Sequence, residues 1–337
     1  MKGSSIKVIF LFVAFSLIQG NPLVFSQAQD SQAPKSSSSS GQEDFTSASL
    51  AGSSLRADPP ELIDRTDEAS YVHEWVTLQW RPDDPVYLYV VRPKGIEKPP
   101  VVIYLYDYPA ETDTFRDDAW CERAVAGGYA AAGFVPALNG HRYHSLPMKE
   151  WFVSRLQESL AKSSHDVQMV LNYLGSRGDL DMNRVGMYGV GAGGTIAALA
   201  ASVDSRIKAV DLIDPWGDWP AWLRISEVVP DQERPLYLKN EFLSGIAGYD
   251  PVTVLPKLGS KHVRLVQFGQ GSETPAVAQK RIADALPASA QSERVATLAE
   301  FEGGSESGTR WIKHQLAPPR TAIESAAQGN ARKEESR

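Results

Sequence analysis

Between residues 71 and 316, short apolar runs alternate with longer segments that carry one apolar face. Residues 75–80 and 86–91 alternate apolar and polar positions on either side of Arg81-Pro82-Asp83-Asp84-Pro85, the pattern of an antiparallel hairpin at a sheet edge. Residues 101–106, VVIYLY, are continuously apolar after Pro99-Pro100 and predict a strand buried on both faces. Residues 117–132 predict a helix weakened by Gly127-Gly128, and 134–138 a short strand. Residues 150–174 predict helix, in two pieces meeting near Ser163-Ser164. Further strands are expected at 184–188, 207–213, 263–268 and 295–301, and helices at 195–201, 275–286 and 306–315. Strands alternating with helices imply an α/β protein with a mostly parallel sheet, covered on both faces and antiparallel at its start. Residues 214–260, with several Pro and Trp, break the alternation and read as a cap-like insertion.

The two ends are patterned differently. Residues 1–26 combine a basic start (Lys2, Lys7) with an apolar core of about 11 residues, the form of a secretory signal and too short to span a bilayer. Small residues at Ser26 and Ala28 suit cleavage; retention as an anchor is the alternative. The expected location is therefore secreted or periplasmic, with no transmembrane segment once the signal is removed. Residues 27–60, rich in Ser and Gln with five serines at 36–40, lack the apolar surface to offset their ordering entropy and read as a disordered linker. The folded part is expected over 61–316, with a polar tail at 317–337. The 337 residues carry a net charge of −7, which argues against nucleic acid as a partner. Cys121 is the only cysteine, so no internal disulfide forms and a buried apolar role is its expected one.

The stretch RVGMYGVGAGGTIAALAAS, beginning at Arg184, gives strand, glycine turn and helix in immediate succession. That is the frame of the G-x-S-x-G nucleophile elbow. With HDVQMVLNYLGSRGDLDMNRVGMYG before it and SRIKAVDLIDPWGDW after it, the chain from about residue 71 to 316 resembles the α/β-hydrolase superfamily, near secreted esterases and the catalytic domains of prolyl-oligopeptidase-like peptidases. The resemblance implies an α/β-hydrolase fold and a site built from serine, acid and histidine in that chain order.

At the serine position stands Gly191, or Ala192 if the frame shifts by one. Glycine removes the hydroxyl and adopts the strained backbone of an elbow without steric cost. The acid is expected after the 263–268 strand, where Glu273 is the carboxylate available, although it equally suits an exposed first turn before a helix. The histidine is expected after the 295–301 strand, where Ser305 or Glu306 stands instead. On the oxyanion side the chain has Asp107-Tyr108-Pro109, and a carboxylate pointing inward there would oppose negative charge. Losing one triad member typically leaves about 10³–10⁴-fold catalysis over water, supplied by the oxyanion hole and binding. With that hole also altered, esterase or peptidase turnover is expected near background.

Other groups are weighed beside this. His141 and His144 follow the 134–138 strand at the ligand-binding edge of such a sheet; ordinary loop hydrogen bonding is expected over zinc, which would need Asp107 or Asp214 as a third ligand. His73, His165 and His262 fit no motif, and His314 falls in the last helix. Trp216, Trp219 and Trp222 either line a pocket or pack the insertion onto the domain. The N–H groups around Val190, Gly191 and Ala192 form a weak anion site. The glycine spacing fits neither a P-loop nor a dinucleotide fingerprint, so neither cofactor nor metal is expected. The expected ligand is a small molecule or peptide, met by Asp107, Tyr108, His141, His144, Val190, Gly191, Ala192, Trp216 and Trp219.

Overall fold

The computed structural model describes residues 43–108, 112–137, 153–303 and 307–318. The signal-like segment, residues 27–42, His141, His144, Ser305, Glu306 and most of the tail lie outside the described residues.

A nine-stranded sheet runs through the described chain in the order β1-β2-β3-β5-β4-β6-β7-β8-β9. β1 (Glu61–Asp67), β2 (Tyr71–Leu78) and β3 (Val86–Pro93) are antiparallel to one another, as the hairpin pattern predicts, and β3 pairs antiparallel with β5 (Ala130–Gly133). β4 (Pro100–Leu105), β6 (Asp181–Val190), β7 (Ile207–Ile213), β8 (His262–Phe268) and β9 (Gln291–Val295) continue in parallel. Every residue of β4 is buried, as a strand covered on both faces requires.

Helices cover both faces. α1 (Asp118–Val125) is capped by the Asp117 carboxylate, which accepts from the Ala119 and Trp120 N–H groups. α2 (Leu156–Arg177) runs unbroken through Ser163 and Ser164, because their hydroxyls donate to the Ser159 and Ala48 carbonyls without interrupting the helix. α3 (Ala192–Val203) starts directly after the elbow and is buried over its first ten residues. The 214–260 segment folds as short helices, the first being α4 (Trp219–Ile225). Its tryptophans Trp216, Trp219 and Trp222 lie at most 1% exposed inside the larger core cluster. α5 (Ala276–Asp284), α6 (Leu298–Gly303) and α7 (Ser307–Gln315) complete the chain.

Three elements depart from the sequence expectation. The helix expected over 117–132 stops at Val125, and the strand expected over 134–138 lies earlier, as β5 in the Ala-rich end of that segment. A side chain at Gly133 would come within 2.2 Å of the Phe115 ring, so the small residues there serve close packing rather than helix formation. The strand expected over 295–301 lies earlier, at Gln291–Val295, and Leu298 onward is helical.

The third departure lies at the other end, where ordered chain begins well before residue 61. Leu55 is buried, and Phe45, Ala48 and Leu50 pack against the same core. Glu43 makes two 2.6 Å contacts with the Arg81 guanidinium, which also reaches Asp166 at 2.6 Å. His165 places one ring nitrogen 2.6 Å from Glu43 and the other 2.8 Å from the Ser47 carbonyl. Gln168 takes the Leu50 N–H and donates to Ala48. Polar pairing to α2 and this apolar packing together hold the strap in place.

Candidate functional site

Parallel strands present their carboxyl ends along one edge, where open α/β sheets bind ligands. β4, β6, β7 and β8 are neighbours in the sheet, and four residues of interest follow them: Asp107, Gly191, Asp214 and Glu273.

The turn from β6 into α3 is as tight as an elbow requires. A Cβ at Gly189 would stand 2.5 Å from the Gly193 carbonyl oxygen, and one at Gly193 would stand 2.2 Å from that of Leu105. Between them Gly191 has φ 52° and ψ −118°, a conformation that is strained for any residue with a side chain. The Gly191 N–H donates to Ile213 at 2.8 Å, tying the elbow to β7.

A Cβ at Gly191 would lie 2.0–2.1 Å from the carboxyl carbon and both oxygens of Asp107. The Asp107 carboxylate therefore fills the volume that a nucleophile's side chain would leave from. One of its oxygens accepts from the Ala192 N–H and the Tyr108 N–H, both at 2.8 Å. In the elbow architecture the oxyanion is bound by the N–H of the residue after the nucleophile and by one from the loop after the preceding strand. Ala192 and Tyr108 stand at those two places, and Asp107 holds both. The inward-pointing carboxylate considered from sequence is what the chain has.

Among the described residues, three carboxylates gather at this edge. Burial pushes the Asp107 carboxyl up to about 7; the Ala192 and Tyr108 N–H groups oppose this, and the Glu273 and Asp214 carboxylates add to it. Asp214 is raised chiefly by burial, against hydrogen bonds from Ser272, the Phe268 N–H and Gln279. Glu273 is raised by burial and by Asp214, with the Trp216 indole opposing. Asp214 is the residue that sequence reasoning underweighted. Its signals are its place one residue past β7 and a backbone φ of 46°, a left-handed conformation that Asp tolerates better than most side chains.

The other expected site residues are placed as follows. Tyr108 lies edge-on to Trp216, with ring centroids 6.4 Å apart, and both border the carboxylates. Trp219 packs edge-on against Trp222 within the core, away from any surface a ligand reaches. Val190 is buried at the end of β6. Among the described residues, no histidine follows the carboxyl end of a parallel strand. His73 lies on β2, His165 in α2, His314 in α7, and His262 opens β8 at the end remote from Glu273. The residues directly after β9 are Ala296 and Thr297. No group of three or more metal-binding side chains occurs among the described residues.

The family model of the dienelactone hydrolase family matches residues 86–219, which span β3 through the elbow to the start of α4. The chain has the α/β-hydrolase fold. Solved structures agree. Acetyl xylan esterase 1 from Thermoanaerobacterium sp. JW/SL YS485 superposes with a TM-score of 0.62 at 13% identity, covering 77% of this chain and 89% of that one. An acetyl xylan esterase from Paenibacillus sp. R4 gives 0.61 at 16% identity, covering 80% and 90%. An S-formylglutathione hydrolase from Agrobacterium tumefaciens gives 0.58 at 14%, covering 76% and all of that chain. No curated protein sequence matches this hydrolase-fold chain.

Proposed function

We propose that this is an exported hydrolase-fold protein that does not catalyse ester or peptide hydrolysis and instead binds a small molecule or peptide at the carboxyl edge of its sheet. The observation that carries the reading is Asp107: its carboxylate occupies both the space above Gly191 and the two N–H groups at the oxyanion place. An acyl-transfer site needs an attacking group and a hole that gains strength as negative charge develops. Here glycine supplies no attacking group, and a carboxylate sits where the developing charge would go. The basic, apolar start of the chain supports export.

The test is a panel of p-nitrophenyl esters from acetate to octanoate, with short peptide amides alongside. The expected rate is that of heat-denatured protein; saturable turnover well above that control overturns the reading.

A second reading has one observation in its favour. A half-buried carboxyl near 7 beside another raised carboxyl is a configuration suited to acid–base work on a water molecule. Hydrolysis from such a displaced site, with His141 or His144 as further candidates, predicts that D107N and E273Q each abolish whatever turnover the wild type shows.

A further inference from the structure

The hole that Asp107 fills is built from two different elements, the start of α3 and the loop after β4, and it already holds a carboxylate oxygen at 2.8 Å from each N–H. That carboxylate is held against an unfavourable setting. Among the described residues, the charged groups that act on it are Glu273 from the loop after β8 and Asp214 after β7, and the Tyr108 phenol is itself acted on by Glu273. Among the described residues Asp107 forms no ion pair, and Arg294, on β9, acts on the neighbouring Asp214. Its second oxygen makes no hydrogen bond within the described residues. The N–H pair is thus matched to a carboxylate, while the carboxylate that occupies it pays in burial and repulsion.

We propose that Asp107 is a releasable plug, and that the external ligand of this site is a small monocarboxylate that takes its place on the Ala192 and Tyr108 N–H groups. The exchange needs only rotation of the Asp107 side chain, and it leaves the space above Gly191 free for the ligand's substituent. Two carboxylates cannot share the pocket with Glu273 and Asp214 while all are ionised, so uptake of the ligand is coupled to uptake of a proton by Asp107. This inference rests on the non-catalytic reading, since it makes the hole a binding site rather than a transition-state site.

Acetate titrated into the full-length protein, read by the amide resonances of Ala192 and Tyr108 with chloride as the ionic control, tests it. The wild type is expected to show saturable shifts at about pH 5.5 and roughly tenfold or more weaker binding at about pH 8.5, as proton-coupled binding requires. D107A, with the plug removed, should bind at both pH values with affinities within about twofold of each other. D107N, which keeps the shape and loses the charge, should lose the pH dependence and serves if D107A does not fold. Equal wild-type affinity at the two pH values, no saturable shift in a folded D107A, or identical shifts with chloride each overturn the proposal. Ester turnover by the wild type would remove the non-catalytic reading without touching this titration. A flat titration would remove the plug and leave the turnover result standing.

Discussion

A serine introduced at Gly191 meets two obstacles at once. Its Cβ falls within 2.1 Å of the Asp107 carboxylate, and its backbone must hold a φ of 52°. Each is worth about 1–3 kcal/mol, one as overpacking and one as backbone strain. G191S is therefore expected to lower the unfolding free energy by roughly 2–5 kcal/mol in urea titration. The double variant D107G/G191S should recover the overpacking part and not the strain, a coupling of about 1–3 kcal/mol between residues in contact. Additive effects would mean that the carboxylate does not occupy this space. Asp107 also carries a pH signature. Its carboxyl is raised in the folded chain to about 7 from an ordinary value of 3.8. The folded state therefore binds a proton more readily than the unfolded one, and this contribution to stability is complete below about pH 4 and lost as pH rises through about 7. D107N lacks the charge but keeps an acceptor for Ala192 and Tyr108. Its melting temperature relative to wild type should rise between about pH 5 and 8, by several degrees at the upper end.

At the level of elements, the sequence reveals most where burial is two-sided and least where contacts are remote or edges exposed. β4 and the elbow strand were legible because continuous apolar runs leave few alternatives. β9 is not legible, because it is an edge strand whose first four residues are exposed, so QSERV carries no apolar signal and the more apolar 295–301 outweighs it. β5 was hidden because its alanines favour helix by propensity and only the approach of Phe115 makes strand the better use of them. The strap before β1 is hidden for a different reason: its partners Arg81, His165 and Gln168 are some 40 to 120 residues away in sequence. Those partners give the strap testable energetics. Arg81 faces Glu43 and Asp166 with all three side chains buried, so R81A leaves two carboxylates without their cation and should cost about 3–5 kcal/mol in urea denaturation. Burial pushes the Glu43 carboxyl up, but Arg81 and His165 outweigh it and hold the group at about 2. Stability from this pair is thus present above about pH 4.5 and lost as pH falls toward about 2. The protection factor of the Leu50 amide, which Gln168 holds, should fall over that interval. Unchanged protection there would mean that the strap is not fastened by Glu43.

Taken whole, the molecule keeps the features that make this fold a carrier of hydrolytic chemistry: strand order, elbow geometry and two N–H groups aimed at one point. Fold alone does not decide function, and the two acetyl xylan esterases compared above are only 13% and 16% identical to this chain. In this chain a carboxylate from the loop after β4 stands over the glycine that follows β6. The acid and histidine places were legible in sequence only as absences or candidates, because a loop's residues reveal which side chains are present and not where they point. The orientation of Asp107 is what a sequence leaves open. The most direct measurement is intact-mass spectrometry of the full-length protein after incubation with a fluorophosphonate probe, with an active serine esterase run in parallel. No mass shift is expected while the esterase is labelled to completion. A single stoichiometric adduct on one serine of the folded chain, absent after denaturation, would contradict it.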